Sequence, residues 1–305
     1  MPGARWDFLS GALNLCVVSL VAFAIVGPKP SLAVKTEASV HTISYGIEAC
    51  ERAVALPDRI RPFLEFHDDC LNEAPRDMEL LEGDVLAMFY RLNDIRDEHE
   101  LKPLIWHEGA AEVARMQAID MLRRKYFAHR SPEGLKNDDR LRRLRRNEIF
   151  GVSGENLAWY RDGWPATYSE LTLQRQLEAS PSHFVAMVNP DYTHAGAAIV
   201  RQGNTYTGVQ VFLSAEGALL DDWPMQLFPG LTLELPDDLN GRPVEGWRLE
   251  RREGDLIARG YNRRVVVPEI SEPGLARLIV LVENEPGVYL LLNGPASDLL
   301  TNAPS

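Results

Sequence analysis

His129-Arg-Ser-Pro-Glu-Gly134, Gly154-Glu-Asn156 and Ser180-Pro-Ser-His183 are the three stretches on which the reading of this chain turns. Each sets one metal- or proton-competent side chain beside residues that fix a turn. Pro132 presets φ and Gly134 permits φ > 0, which predicts that His129 is presented from a loop just past a helix end. Gly154 lets the backbone approach closely beside Glu155. Pro181 predicts a helix boundary next to His183. Two imidazoles and a carboxylate are a plausible ligand set for a divalent ion, Zn²⁺ above all, with a position left open.

Working outward, Leu92-Asn-Asp-Ile-Arg96 and Leu101-Lys-Pro-Leu104 precede a helical run that ends in Tyr126-Phe-Ala-His129. Asn189-Pro-Asp-Tyr-Thr-His-Ala-Gly196 leads into a strand pair ending Val209-Gln-Val-Phe212. In this order and at these spacings, residues 80–215 resemble the CAP superfamily in its bacterial SCP-like form. The superfamily includes cysteine-rich secretory proteins, insect venom antigens and plant pathogenesis-related proteins. The resemblance implies an α-β-α sandwich with a central antiparallel sheet. It also implies a cleft shared by a first-motif His, the Glu of Gly-Glu-Asn and a last-motif His, which here are His129, Glu155 and His183. Relatives outside bacteria add a second Glu, three residues after a Trp on the helix before the last His. This chain departs there, with Leu177 at the Trp position and Ser180 at the Glu position. Glu178 is near in sequence, but helical geometry turns it about 200° from Ser180.

Composition bounds the rest. A length of 305 residues suits about two domains, and 45% apolar content supports packed cores. A net charge of −12 argues against nucleic acid as the main partner. One basic run, Arg140-Leu-Arg-Arg-Leu-Arg-Arg146, reads as a solvated helix face balanced by Asp138, Asp139 and Glu148, or as a patch for an anionic polymer such as a cell-wall glycan. Leu9 to Val26 is apolar and uncharged, follows Arg5, and precedes Ser31-Leu-Ala33. Residues 1–33 therefore read as a secretory signal peptide or an uncleaved membrane anchor, which places the protein outside the cell or in its envelope. Membrane contact is expected only through that segment. Beyond it stand Cys50 and Cys70, an even pair in an exported chain. That context predicts a disulfide closing a loop of about 20 residues, a constraint of roughly 3 kcal/mol. Residues 34–79 read as an extension clamped by this bond. His67, beside two aspartates, reads as a surface residue.

Two helical stripes follow: Leu81, Val85, Met88, Phe89, Leu92 and Ile95, then Ala110, Val113, Ala114, Ala118, Met121 and Leu122. Both read as core, and the alanines of the second predict close packing against a sheet. His99 and His107 read as solvated. Ala197–Arg201 and Thr205–Leu213 flank Gln202-Gly-Asn204, a hairpin signal. Helices before strands indicate an α+β domain over residues 80–217. From 225 to 305 short β-type runs recur between turn signals such as Asn240-Gly241 and Glu285-Pro-Gly287. They predict a small all-β, sandwich-like C-terminal domain without a catalytic constellation.

Two functions fit these residues. In one, the His129/Glu155/His183 cleft binds a divalent metal or a polar ligand (a small molecule, peptide or cell-wall component) without turnover. In the other, the chain is a metal-dependent hydrolase of peptide or cell-wall material, with Glu155 as its catalytic base. No organic cofactor is indicated, and no nucleophile elbow occurs near Ser131, Ser153, Ser180 or Ser182.

Overall fold

Every second residue of the central strands faces a different helical layer, and that alternation builds the first two thirds of the molecule. A computed structural model describes residues 55–71 and 74–304. The signal or anchor segment 1–33 and Cys50 lie outside them. The elements are α1 (Ile60–Cys70), β1 (Glu79–Leu80), α2 (Glu82–Glu98), β2 (Ile105–Trp106), α3 (Glu108–Arg124), α4 (Asn137–Leu144), β3 (Glu148–Arg161), α5 (Thr172–Glu178), α6 (Pro181–Met187), β4 (His194–Gln202) and β5 (Thr205–Ala218). Strands β4, β5 and β3 run antiparallel. Ala198, Val200, Val209, Val211 and Leu157 pack with α3, while Ala197, Ile199, Phe212 and Ala158 pack with α2, α5 and α6. The result is the expected three-layer α-β-α sandwich. The alanines of α3 perform the expected close packing: a Cβ at Gly196 of β4 would lie 2.1 Å from the Ala111 backbone nitrogen.

The second part is all β, as expected. It contains β6 (Gln226–Leu227), β7 (Thr232–Glu234), β8 (Asp238–Leu239), β9 (Arg242–Arg251), β10 (Leu256–Gly260), β11 (Arg264–Val266), β12 (Gly274–Glu285) and β13 (Val288–Leu299). The two-stranded β7–β11 ribbon shares one core with β9, β12 and β13 through Leu235, Val265, Trp247, Leu249, Leu278 and Val280. Its main sheet is not separate, however. Strand β13 pairs with β3 at Asn293 and Phe150, so one sheet runs β1-β4-β5-β3-β13-β12-β9-β10. The boundary near residues 217–225 marks a change of secondary structure and not a gap in packing, since the Trp223 N–H donates to the Arg146 carbonyl at 2.7 Å.

Helix α4 and the turn after it bind the two parts together, which corrects both readings of the basic run. Arg140, Arg142 and Arg143 are buried and Arg145 and Arg146 are half-buried; none forms an open cationic face. Between Arg277 and Ile279 the β12–β13 register shifts, and Pro295 in that bulge has no N–H to give. Arg142 Nη1 fills the gap by donating to the Leu278 carbonyl at 3.1 Å and the Gly294 carbonyl at 2.8 Å. Arg146 donates to the carbonyls of Ala296, Trp223 and Pro224 at 2.6, 2.9 and 3.0 Å. Arg143 donates to the Asp58 carbonyl at 2.6 Å and holds the start of α1. Burial pushes the pKa of Arg142 and Arg146 down to about 10, still charged at neutral pH. Asp139 on the same helix receives Arg252 at 3.3 Å and also pairs with Arg277.

Two smaller expectations change. His67 is buried, with Nδ1 3.1 Å from Asp68. His107 is half-buried and caps α3, its Nδ1 accepting the Ala110 N–H at 3.1 Å. Cys70 is buried at the end of α1; its expected partner Cys50 lies outside the described residues, and their pairing stays a proposal.

Two outcomes test this seam. Arg142→Met should lower unfolding free energy by about 3 kcal/mol, because it strands buried carbonyls that no other donor can reach; urea denaturation reads it, and a loss under about 1 kcal/mol would show the staple to be dispensable. Burial raises the Asp139 carboxyl, but the Lys136 N–H, Arg277 and Arg252 outweigh it and hold it below the ordinary carboxylate value. Its contribution is therefore complete above about pH 4 and lost as pH falls below that. Asp139→Asn should flatten the acid limb of a stability-versus-pH curve.

Candidate functional site

The site forms where the two helical layers meet over the outer edge of β3. Helix α3 ends on Lys125 in the left-handed conformation, φ 57°, and the chain then turns into the expected loop carrying His129. Gln117 donates to the Ala128 carbonyl at 2.7 Å, and Gly134, φ 80°, closes a turn whose N–H donates to the Ser131 carbonyl at 2.7 Å. Glu133 in that turn is clamped by Arg124 at 2.5 and 3.0 Å.

Gly154-Glu-Asn156 lies in the middle of β3, and its three residues have three tasks. A Cβ on Gly154 would sit 2.2 Å from the Tyr192 hydroxyl, so only glycine leaves that ring its place. Glu155 points to the α3 layer, where its Oε2 accepts from His129 Nδ1 at 2.9 Å. Asn156 points to the opposite layer and donates to the His183 carbonyl at 3.0 Å and to Gln210 Oε1 at 3.1 Å. Pro181 opens α6 at the expected helix boundary, and His183 is the third residue of that helix. The far end of α6 is fixed by buried Arg96, which donates to the carbonyls of Met187 and Asn189 at 2.9 Å each. Arg96 thus explains the Leu92-Asn-Asp-Ile-Arg96 motif.

The electrostatics are asymmetric. Glu155 is buried to 3% side-chain exposure, and its other oxygen lies 3.6 Å from Nη1 of Arg140, which is fully buried. The sequence reading missed Arg140 as a site residue, hidden inside a run of arginines with mostly structural tasks. His129 is exposed, and with Nδ1 facing the carboxylate its Nε2 is left to accept a hydrogen bond. Burial, and then the neighbouring His129, lower the pKa of His183 below the usual histidine value. The His183 ring is therefore neutral at pH 7. The fourth acidic position is absent as expected: Ser180 caps α6 there, and Glu178 is turned to Arg91 at 3.1 Å.

These residues do not fit a three-ligand metal centre. Among the described residues no group of three or more His, Cys, Asp and Glu side chains is arranged to hold an ion. Glu155 spends one oxygen on His129 and the other on a buried cation, which repels a metal from the carboxylate. That leaves only two imidazoles, where zinc normally takes three or four protein ligands.

Known proteins share this part of the chain. The profile of the cysteine-rich secretory protein family, CAP, matches residues 89–214. The uncharacterized membrane protein YlbC of Bacillus subtilis is 36% identical over 111 residues, covering 36% of this chain and 30% of YlbC. The uncharacterized protein YkwD of the same organism is 28% identical over 141 residues, covering 44% of this chain and 48% of YkwD. The chain thus spans less than half the length of either relative. Among solved structures, an outer surface protein of Borrelia burgdorferi superposes with a TM-score of 0.40 at 18% identity, covering 45% of this chain and 98% of that one. An extracellular SCP-domain protein of Bacillus anthracis superposes with a TM-score of 0.36 at 28% identity, covering 44% and 41%. Residues 89–214, the CAP domain of this chain, thus match the cysteine-rich secretory protein family.

Proposed function

We propose that this is an exported CAP-domain protein whose cleft binds a polar ligand at the cell envelope without turning it over. The observation that carries the reading is Glu155 held between His129 and the buried Arg140. A carboxylate charge already matched on both sides orients an imidazole but is a poor base. What the cleft offers is His129 Nε2 as an acceptor and the His183 ring beside it, a set suited to hydroxyl and amide groups. Export is supported by the apolar Leu9–Val26 segment and by the membrane-protein name of the relative YlbC. The Cys50–Cys70 disulfide belongs to the same proposal. The hydrolase reading has no observation of its own in its favour.

Two measurements bear on this. Zn²⁺ titrated calorimetrically into the chelator-treated protein should bind no more tightly than about 10 µM, as expected of two imidazoles alone; a Kd below about 1 µM, abolished by His183→Ala, would restore a metal centre. The His183 ring should titrate below the reference value of about 6.5 in an NMR series. Its neutral form is favoured by folding, so its contribution to stability is complete above about pH 6.5 and falls as pH drops below that. His129→Ala should move the midpoint part of the way back, since burial remains. A midpoint above 6.5 would contradict the half-buried, neutral ring on which the reading depends.

A further inference from the structure

Strand β3 is paired along its whole length on only one side. Its inner neighbour β5 pairs with it from Glu148 to Arg161, but on the outer side β13 meets it at Phe150 alone. Among the described residues, no strand pairs with β3 on that side from Gly151 to Arg161. An open edge of about seven residues from Glu155, some 20 Å long, presents alternate backbone N–H and C=O groups outward. Such an edge is ordinarily a hazard that a protein covers or charges. Here it forms the floor of a groove of about 510 Å³, lined by the consecutive residues Leu157, Ala158 and Trp159. Phe127 walls the groove on one side, and Leu177, Ser180 and His183 wall it on the other. Phe127 and Trp159 are 52% and 44% exposed and also border a second groove of about 400 Å³ that holds Lys125, Arg161 and Gln202. The chain carries 44 acidic residues, yet none lines either groove.

From this geometry we infer that the outer edge of β3, Glu155 to Arg161, takes up an extended acidic polypeptide segment by strand addition. The inference rests on the reading of the cleft as a binding site, but not on any role for the His129 imidazole. Main-chain hydrogen bonds to the edge supply the affinity, and alternate side chains of the added strand enter the two walls. One set faces Phe127, Trp159, Lys125 and Arg161, where carboxylates are matched by cations. The other set faces Leu177, Ser180 and His183, which suit small or uncharged residues. A single strand fits because the helical layers rise on both sides of the edge; a second copy of the sheet edge would meet those walls first. The absence of acid from both linings gives the ligand its charge.

The test uses the full chain and a pool of capped octapeptides with aspartate or glutamate at every second position and mixed residues between. Binders are resynthesised with N-methyl groups on one alternate set of residues or on the other, and titrated calorimetrically. Strand addition predicts that one set weakens binding at least tenfold and the other less than about twofold, because only alternate amides face the edge. Arg161→Glu should weaken binding about tenfold and reduce its salt dependence. In His129→Ala the same methylated set should still carry the loss, which separates a failure of this inference from a failure of the imidazole cleft. Equal effects of the two methylated sets, no binder in the pool, or a dimer of the chain that the peptide does not displace would each overturn the inference.

Discussion

Arginine buried in α4 is the constraint on which the rest of the molecule depends. Taking guanidinium groups out of water costs several kcal/mol each unless every donor is directed at an acceptor. Arg142, Arg143 and Arg146 offset much of that cost by aiming their terminal nitrogens at backbone carbonyls that need donors: those freed by the β12–β13 bulge, those of the Trp223-Pro224 crossing and that of Asp58 before α1, while the Nε of each has no partner among the described residues. Lysine could not replace them. A single ammonium cannot reach two carbonyls on different strands from one planar fork, and it would lose its charge more readily when buried.

The same helix sets the charge of the cleft. Arg140 stands one turn before Arg143 and reaches Glu155, while Asp139 beside it faces the opposite way, to Arg252 and Arg277. One short helix therefore carries two ion-pair systems, one in the CAP core and one in the β part. Any movement of the β part against the CAP domain must pass through α4 to Arg140, and so to the carboxylate that orients His129. The β part is in this sense a foundation of the cleft, although it contributes no residue to its walls.

Most of the fold was legible because its signals are local. The β4–β5 strand pair with its turn at Gly203, the alanine stripe of α3 and the β-type runs from residue 225 onward all appear where the sequence suggested. The convergence of His129 and Glu155 was implied only by the family resemblance, since no local spacing brings the loop after α3 to the middle of β3. The fate of the basic run was not legible. With only Leu141 and Leu144 between five arginines, the helix looks solvated unless one knows that the opposing surface is a bulge with a proline in it. That surface lies about 150 residues away in the chain, and no local pattern announces it. His67 and His107 were misjudged for a related reason: their burial comes from packing between distant elements, whereas their neighbours in sequence are charged.

The continuity of the sheet bears on the cleft in a way the CAP domain alone would not require. If β13 ran alongside β3 as it runs alongside β12, the outer edge at Glu155–Arg161 would be filled and the helical layers would close over it. It does not, because β13 meets β3 only at Phe150 and then follows the bulge that Arg142 satisfies. The β part thus extends the sheet at one end of β3 and leaves the other end free, between walls supplied by Phe127 and α6. Loss of the Arg142 contacts would release the bulge and allow β13 to shift in register, and a one-residue slip turns every side chain to the other face. The open edge and the buried arginine are therefore parts of one arrangement: the seam holds β13 away from the groove as firmly as it holds the two parts together.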